Sequence, residues 1–129
     1  AGDFQESNIT FTLTCHPKTI YMKGDENQLS QLLLNLLKNS IQALERTEKG
    51  KISIHALQTE RISIDIADNG PGIPPELQEK IFIPFFTTKS EGSGIGLSLC
   101  KQIIRLHGGH LTVKESSPGK TVFHIDIPL

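Results

Sequence analysis

Tryptophan is absent from this 129-residue chain, and tyrosine and methionine occur once each. Aromatic residues make up only 5%, so aliphatic side chains must fill most of any core. The two cysteines, Cys15 and Cys100, lack metal-type spacing. They are too few to staple a domain of this size, which predicts reduced core thiols and a cytoplasmic setting. No apolar run approaches the ~18 residues of a membrane span, and the opening Ala-Gly-Asp-Phe-Gln-Glu lacks the basic and apolar regions of a signal peptide. An excess of one charge is missing as well: 13 Lys plus Arg face 14 Asp plus Glu, a formal net charge of -1. Without a basic field, neither nucleic acid nor a membrane surface is an expected partner. What is present, 36% hydrophobic and 21% charged residues, is the composition of one globular domain over 1–129.

Alternation with a period of two locates a sheet. Ile9, Phe11 and Leu13 alternate with threonines; Ile52, Ile54 and Ala56 with Ser53 and His55; Ile62, Ile64 and Ile66 with Arg61, Ser63 and Asp65; Phe123, Ile125 and Ile127 with His124 and Asp126. Leu111 and Val113 add one more strand, so about five strands are expected, each with one wet face. Gln58-Thr59-Glu60 is short enough for a hairpin, and Ser116-Ser117-Pro118-Gly119 is turn chemistry. One helix opens at Asp25 as N-cap, runs through Leu29, Leu32, Leu36, Ser40 and Leu44, and is ended by Gly50. A second follows Gly92, Gly94 and Gly96 and stops at Gly108. The expected class is α+β: a two-layer α/β sandwich, its mixed, mostly antiparallel sheet covered by helices on one face.

Three places break these patterns. On the first helix, Gln28, Gln31, Asn35, Lys38, Asn39 and Gln42 fall within roughly a 100° arc, nearly all of them amides where an exposed face is normally Glu and Lys. Asn is a poor helix former, so the stripe reads either as an amide-rich solvated face or as the wall of a polar cleft. Its carbonyl oxygens suit Mg²⁺, which takes few protein ligands. Asp68 shares parity with Ile62, Ile64 and Ile66, which turns its carboxylate toward the helix-covered side. It either caps the Asn69-Gly70-Pro71-Gly72 turn or serves a ligand: the glycines allow close backbone approach, Ile73 offers a surface for a flat ring, and a carboxylate suits the amine of adenine. Finally, Lys89 to Leu97 places three glycines at spacing two before a helix, a plausible phosphate cradle. That run is not the dinucleotide fingerprint, and Gly119-Lys120-Thr121 is a turn rather than a P-loop.

Taken together, Asn35-Leu-Leu-Lys-Asn39, Asp68-Asn-Gly-Pro-Gly72, Phe82-Ile-Pro-Phe-Phe-Thr-Thr-Lys89 and Gly92-Ser-Gly-Ile-Gly96-Leu97 resemble, in order and spacing, the N, G1, F and G2 boxes of bacterial sensor histidine kinases. The resemblance covers nearly the whole chain. It implies the catalytic ATP-binding domain of that family, with the Bergerat-type fold shared by gyrase B, Hsp90 and MutL. It further implies that Asn39 ligates Mg²⁺, that Asn35 acts with it on the phosphates, and that Asp68 accepts from adenine. Gly70, Gly72 and Ile73 would shape the base pocket, and Phe82 to Gly94 would form an ATP lid. Gln42, Thr88, Lys89, Gly92, Ser93, Gly94, Ile95, Gly96 and Leu97 would complete the nucleotide site.

Two departures matter. Asn35 stands where the water-hydrolysing relatives carry a catalytic glutamate, and Gln42 stands where many kinases have a basic residue. None of His16, His55, His107, His110 and His124 is followed by Glu or Asp, as the family's acceptor histidine usually is. The implied partners are therefore a dimerisation and phosphoacceptor domain of the same longer kinase, which can be membrane-anchored, and through it a response regulator. A serine kinase of the anti-sigma-factor type and a non-catalytic nucleotide-dependent interaction module are the alternatives.

Overall fold

A computed structural model describes residues 9–86 and 96–129. The expectations placed on Thr88, Lys89, Gly92, Ser93, Gly94 and Ile95 lie outside the described residues. Five strands form one sheet: β1 (Thr10–His16), β2 (Lys51–Gln58), β3 (Arg61–Asp68), β4 (His110–Ser117) and β5 (Lys120–Pro128). Their order is β1-β2-β3-β5-β4, with β1 parallel to β2 and all other neighbours antiparallel. The two-residue link Thr59-Glu60 closes the β2–β3 hairpin as expected.

Helix α1 (Glu26–Ala43) begins where Asp25 accepts the Gln28 N–H at 3.0 Å, satisfying one of the orphan donors of its first turn. Leu29, Leu32, Leu36 and Ser40 form its buried stripe at helical spacing. The helix ends at Ala43, well before Gly50, which corrects the sequence expectation. The Leu44 N–H is shared between the Ser40 and Ile41 carbonyls, and its buried side chain draws the chain off the helix axis. Gly50 serves another purpose there, since a Cβ on it would press to 3.0 Å against the Leu44 side chain. Helix α2 (Gly96–Leu106) carries Cys100, Ile103 and Ile104 inward.

Both helices lie on one face of the sheet, α1 against β3 and α2 against β4, and they pack on each other. Ile62, Ile64, Ile66, Phe123, Ile125 and Leu111 meet them from below in a single aliphatic core. At the edge the pattern fails. Phe11 and Leu13 of β1 are 55% and 73% exposed although they alternate correctly. The helices cover the centre of the sheet, and β1 lies beyond their reach. Cys15, on the same strand, is only partly buried, whereas Cys100 is a core thiol; both are free. Among the described residues, no helix is long and apolar enough to cross a membrane.

Candidate functional site

The two helices run antiparallel. The Cys100 thiol donates to the Leu32 carbonyl at 3.7 Å and is hydrogen-bonded by the Asn35 side chain, while His107 reaches Asp25 at the far end. With this register, the N-terminus of α2 at Gly96 lies toward the C-terminal half of α1, the half that carries Asn39. The amide stripe is therefore not a fully solvated face: Gln28, Asn35, Asn39 and Gln42 are partly buried, and only Gln31 and Lys38 are exposed. Asn39 and Gln42 both have interaction partners. Burial pushes the Cys100 thiol up to about 12, so it packs and does not react.

Asp68 closes β3 at 4% exposure, facing the helices as its parity requires. Its Oδ1 accepts the Gly70 N–H at 2.9 Å. The turn-capping role is thus real. Gly70 abuts the last turn of α1, where an added Cβ would stand 3.1 Å from the Ala43 carbonyl oxygen. Gly72 adopts φ +86°, and a Cβ there would lie 2.5 Å from the Ser117 carbonyl oxygen. These glycines therefore let the loop seat itself between α1 and the β4–β5 turn. The Gly119 N–H closes the same junction by donating to the Gly70 carbonyl at 2.9 Å. Asn69 clips β3 to β2, accepting the Lys51 N–H at 2.6 Å and donating to the Lys49 carbonyl at 3.2 Å.

Two residues that the sequence reading did not single out as site residues, Thr121 and Ser116, belong to this corner, and a third, Ser40, is a buried hydroxyl on α1. Thr121 is directly opposite Asp68 in the β3–β5 ladder and is 4% exposed. Ser116 lies opposite Thr121, and its hydroxyl accepts the Ile73 N–H at 2.7 Å. Ser40, fully buried on α1 one residue after Asn39, has no hydrogen-bond partner for its hydroxyl among the described residues. A buried hydroxyl left unpaired costs about 1–3 kcal/mol. Ser40 carried a signal in the sequence, as a hydroxyl in the leucine stripe of α1, whereas Thr121 was read with the Gly119-Lys120 turn and instead lies in β5, which begins at Lys120.

Phe82 anchors the segment that enters the expected lid. Its ring meets Phe123 edge-on at 6.4 Å, and the Lys101 ammonium lies 4.3 Å above it. His107 holds no metal: Nδ1 lies 2.7 Å from the Ile103 carbonyl, and Nε2 accepts the Asp25 N–H at 3.2 Å. Among the described residues, no group of three or more His, Cys, Asp or Glu could hold a metal ion. A divalent cation at Asn39 would therefore need oxygens from its ligand, as Mg²⁺ commonly takes from phosphates.

Residues 24–129 match the family of histidine kinase-, DNA gyrase B- and HSP90-like ATPases. The sensor histidine kinase ZraS of Salmonella typhimurium is 39% identical over 129 residues, covering 98% of this chain and 27% of ZraS. Among solved structures, the nucleotide-free catalytic domain of histidine kinase ThkA matches with a TM-score of 0.86 at 36% identity, over 98% of this chain and 83% of that one. ThkA in complex with the response regulator TrrA matches with a TM-score of 0.80 at 35% identity, over 98% of this chain and 36% of that one.

Proposed function

The chain belongs to the histidine kinase-, DNA gyrase B- and HSP90-like ATPase family, and from that membership we propose that it is the catalytic domain of a longer sensor histidine kinase, binding Mg-ATP and presenting the γ-phosphate to a histidine elsewhere. Its fold is that of histidine kinase catalytic domains. The observation that carries the reading is the buried pair Asp68 and Thr121, joined through the Ser116 hydroxyl to Ile73. A carboxylate, two hydroxyls and an aliphatic side chain suit a flat heterocycle that offers an exocyclic amine. Adenine has that chemistry.

The phosphates would then point from this corner toward Asn39 and the N-terminus of α2, where the first-turn N–H groups and the helix dipole favour negative charge. Among the described residues, nothing lies within 4 Å of the position a Cβ on Gly96 would take. Asn39 is the residue to hold Mg²⁺, which would neutralise phosphate charge; Asn35, tied to Cys100 one turn away, would brace the same region. Thr88, Lys89 and the glycines Gly92 and Gly94 would complete the phosphate side by their place in the sequence. An amide has no useful proton affinity near neutral pH, so Asn35 cannot activate water as a glutamate could. This suits a domain that passes phosphate to protein. Phosphoryl transfer needs positioning and charge neutralisation more than a covalent nucleophile, and neither His107 nor His124 is placed as an acceptor: His107 bonds to backbone and His124 to Asp65.

The partner would be the helical dimerisation and phosphoacceptor domain of the same kinase, with a response regulator receiving the phosphate in the cytoplasm. Radiolabelled γ-phosphate tests this directly. The chain alone should bind ATP and turn it over slowly, and a cognate helical domain added in trans should acquire an acid-labile phosphohistidine, inefficiently because the tethered effective concentration is lost. Brisk hydrolysis by the chain alone, or an acid-stable phosphoserine on the partner, refutes the histidine-kinase reading.

A further inference from the structure

We propose that Ser116 is a positioning residue for the base pocket, and that it sets selectivity for adenine over guanine by fixing both the Ile73 backbone and the direction of the Thr121 hydroxyl proton. The proposal rests on the adenine-pocket reading above. Strand β4 reaches this position through a bulge: Val113 pairs with Phe123, but Glu115 pairs with Val122, so Lys114 is the extra residue. The extra residue shifts the strand's parity, and Ser116 rather than Glu115 comes to stand opposite Thr121, which in turn stands opposite Asp68. Ser116, Thr121 and Asp68 thus form one row across three strands on the site face.

The hydrogen-bond inventory of that row is restrictive. The Ser116 hydroxyl accepts the Ile73 N–H at 2.7 Å. It has one proton to give, with the Thr121 hydroxyl at 3.4 Å and the Ile73 carbonyl at 3.5 Å as possible acceptors. The Ile73 carbonyl already receives the Gln78 side-chain N–H at 3.1 Å. In the proposed arrangement the Ser116 proton goes to Thr121, the nearer acceptor and one not already engaged by Gln78, and the Thr121 proton then points away from β4. Asp68 and Thr121 then stand side by side as acceptor and donor. Adenine presents the complementary edge, an amine donor beside a ring-nitrogen acceptor; guanine presents a carbonyl acceptor beside an N–H donor and meets both groups the wrong way round. Ile73, held at its N–H by Ser116 and at its carbonyl by Gln78, keeps its side chain in place against the ring.

The test is calorimetry with non-hydrolysable ATP and GTP analogues and with inorganic tripolyphosphate plus Mg²⁺. Ser116→Ala should weaken the ATP analogue roughly three- to tenfold and narrow the adenine-to-guanine ratio by a similar factor, leaving tripolyphosphate unchanged. Ser116→Thr, which keeps the hydroxyl, should restore both affinity and ratio. Should Ser116→Ala fold poorly, Ser116→Cys, of similar size but weak in hydrogen bonding, should show the same narrowing. An unchanged ratio in the alanine and cysteine variants overturns the proposal, as does an equal loss of tripolyphosphate. A wild-type chain with no preference for adenine overturns the pocket reading itself, an outcome distinct from selectivity that is present and indifferent to Ser116.

Discussion

Asp68→Asn separates the two roles that the buried carboxylate carries. The wild-type Oδ1 accepts the Gly70 N–H at 2.9 Å, and an asparagine carbonyl oxygen can keep that bond, so the turn should survive. The amide's NH₂ then stands where the second carboxylate oxygen was, facing a ligand amine with a donor. At 4% exposure there is little solvent to relieve the mismatch. A hydrogen bond to a charged group contributes about 1.5–3 kcal/mol and a neutral one about 1 kcal/mol, and an unpaired buried donor adds to the loss. The expected weakening is about 1–3 kcal/mol, roughly 5- to 150-fold in affinity. Calorimetry with a non-hydrolysable ATP analogue measures it, with thermal unfolding of the ligand-free protein as the control. The loss should fall on adenosine and spare inorganic tripolyphosphate. Unchanged nucleotide affinity with a lower melting temperature would refute the reasoning and leave Asp68 as a turn cap alone.

Asn39→Ala should weaken nucleotide binding with magnesium more than without it; equal losses in paired titrations would make Asn39 a structural residue of α1. Gly72→Ala should cost more than the roughly 1–2 kcal/mol of a left-handed residue with a Cβ, because that Cβ also meets the Ser117 carbonyl oxygen at 2.5 Å. Urea unfolding measures it, and wild-type stability would show that the loop can move off the hairpin. On the open sheet face, partial burial opposes ionisation of Asp65, yet bonds from His124 and Lys114 hold its carboxyl below the ordinary 3.8. A depressed carboxyl stabilises the fold above that value and loses its contribution as pH falls through the folded pKa. Asp65→Asn should therefore lower the melting temperature near neutrality, and the gap should close as pH falls below the ordinary carboxylate range; a gap independent of pH would assign the effect to packing.

Local relations were readable without coordinates. Leucines at helical spacing and the Asp25 cap specify α1, and two-residue alternation specifies each strand, because these patterns record which side chains share a face of one element. The inward turn of Asp68 followed from the same parity and was correct. The four boxes could be read as a set because each is contiguous in sequence. What alternation does not record is whether a face is covered. Phe11 and Leu13 alternate as well as Ile62 and Ile64 do, yet β1 lies beyond the helices and its apolar side chains stay in solvent. The cap of a turn by Asp68, the bond between Asn35 and Cys100, and the solitary hydroxyl of Ser40 depend on how one element is set against another. Ser116 is the sharpest case. Only the bulge at Lys114 shifts it into the row with Thr121 and Asp68, and a bulge arises from strand pairing, in which residues far apart in sequence fix each other's register.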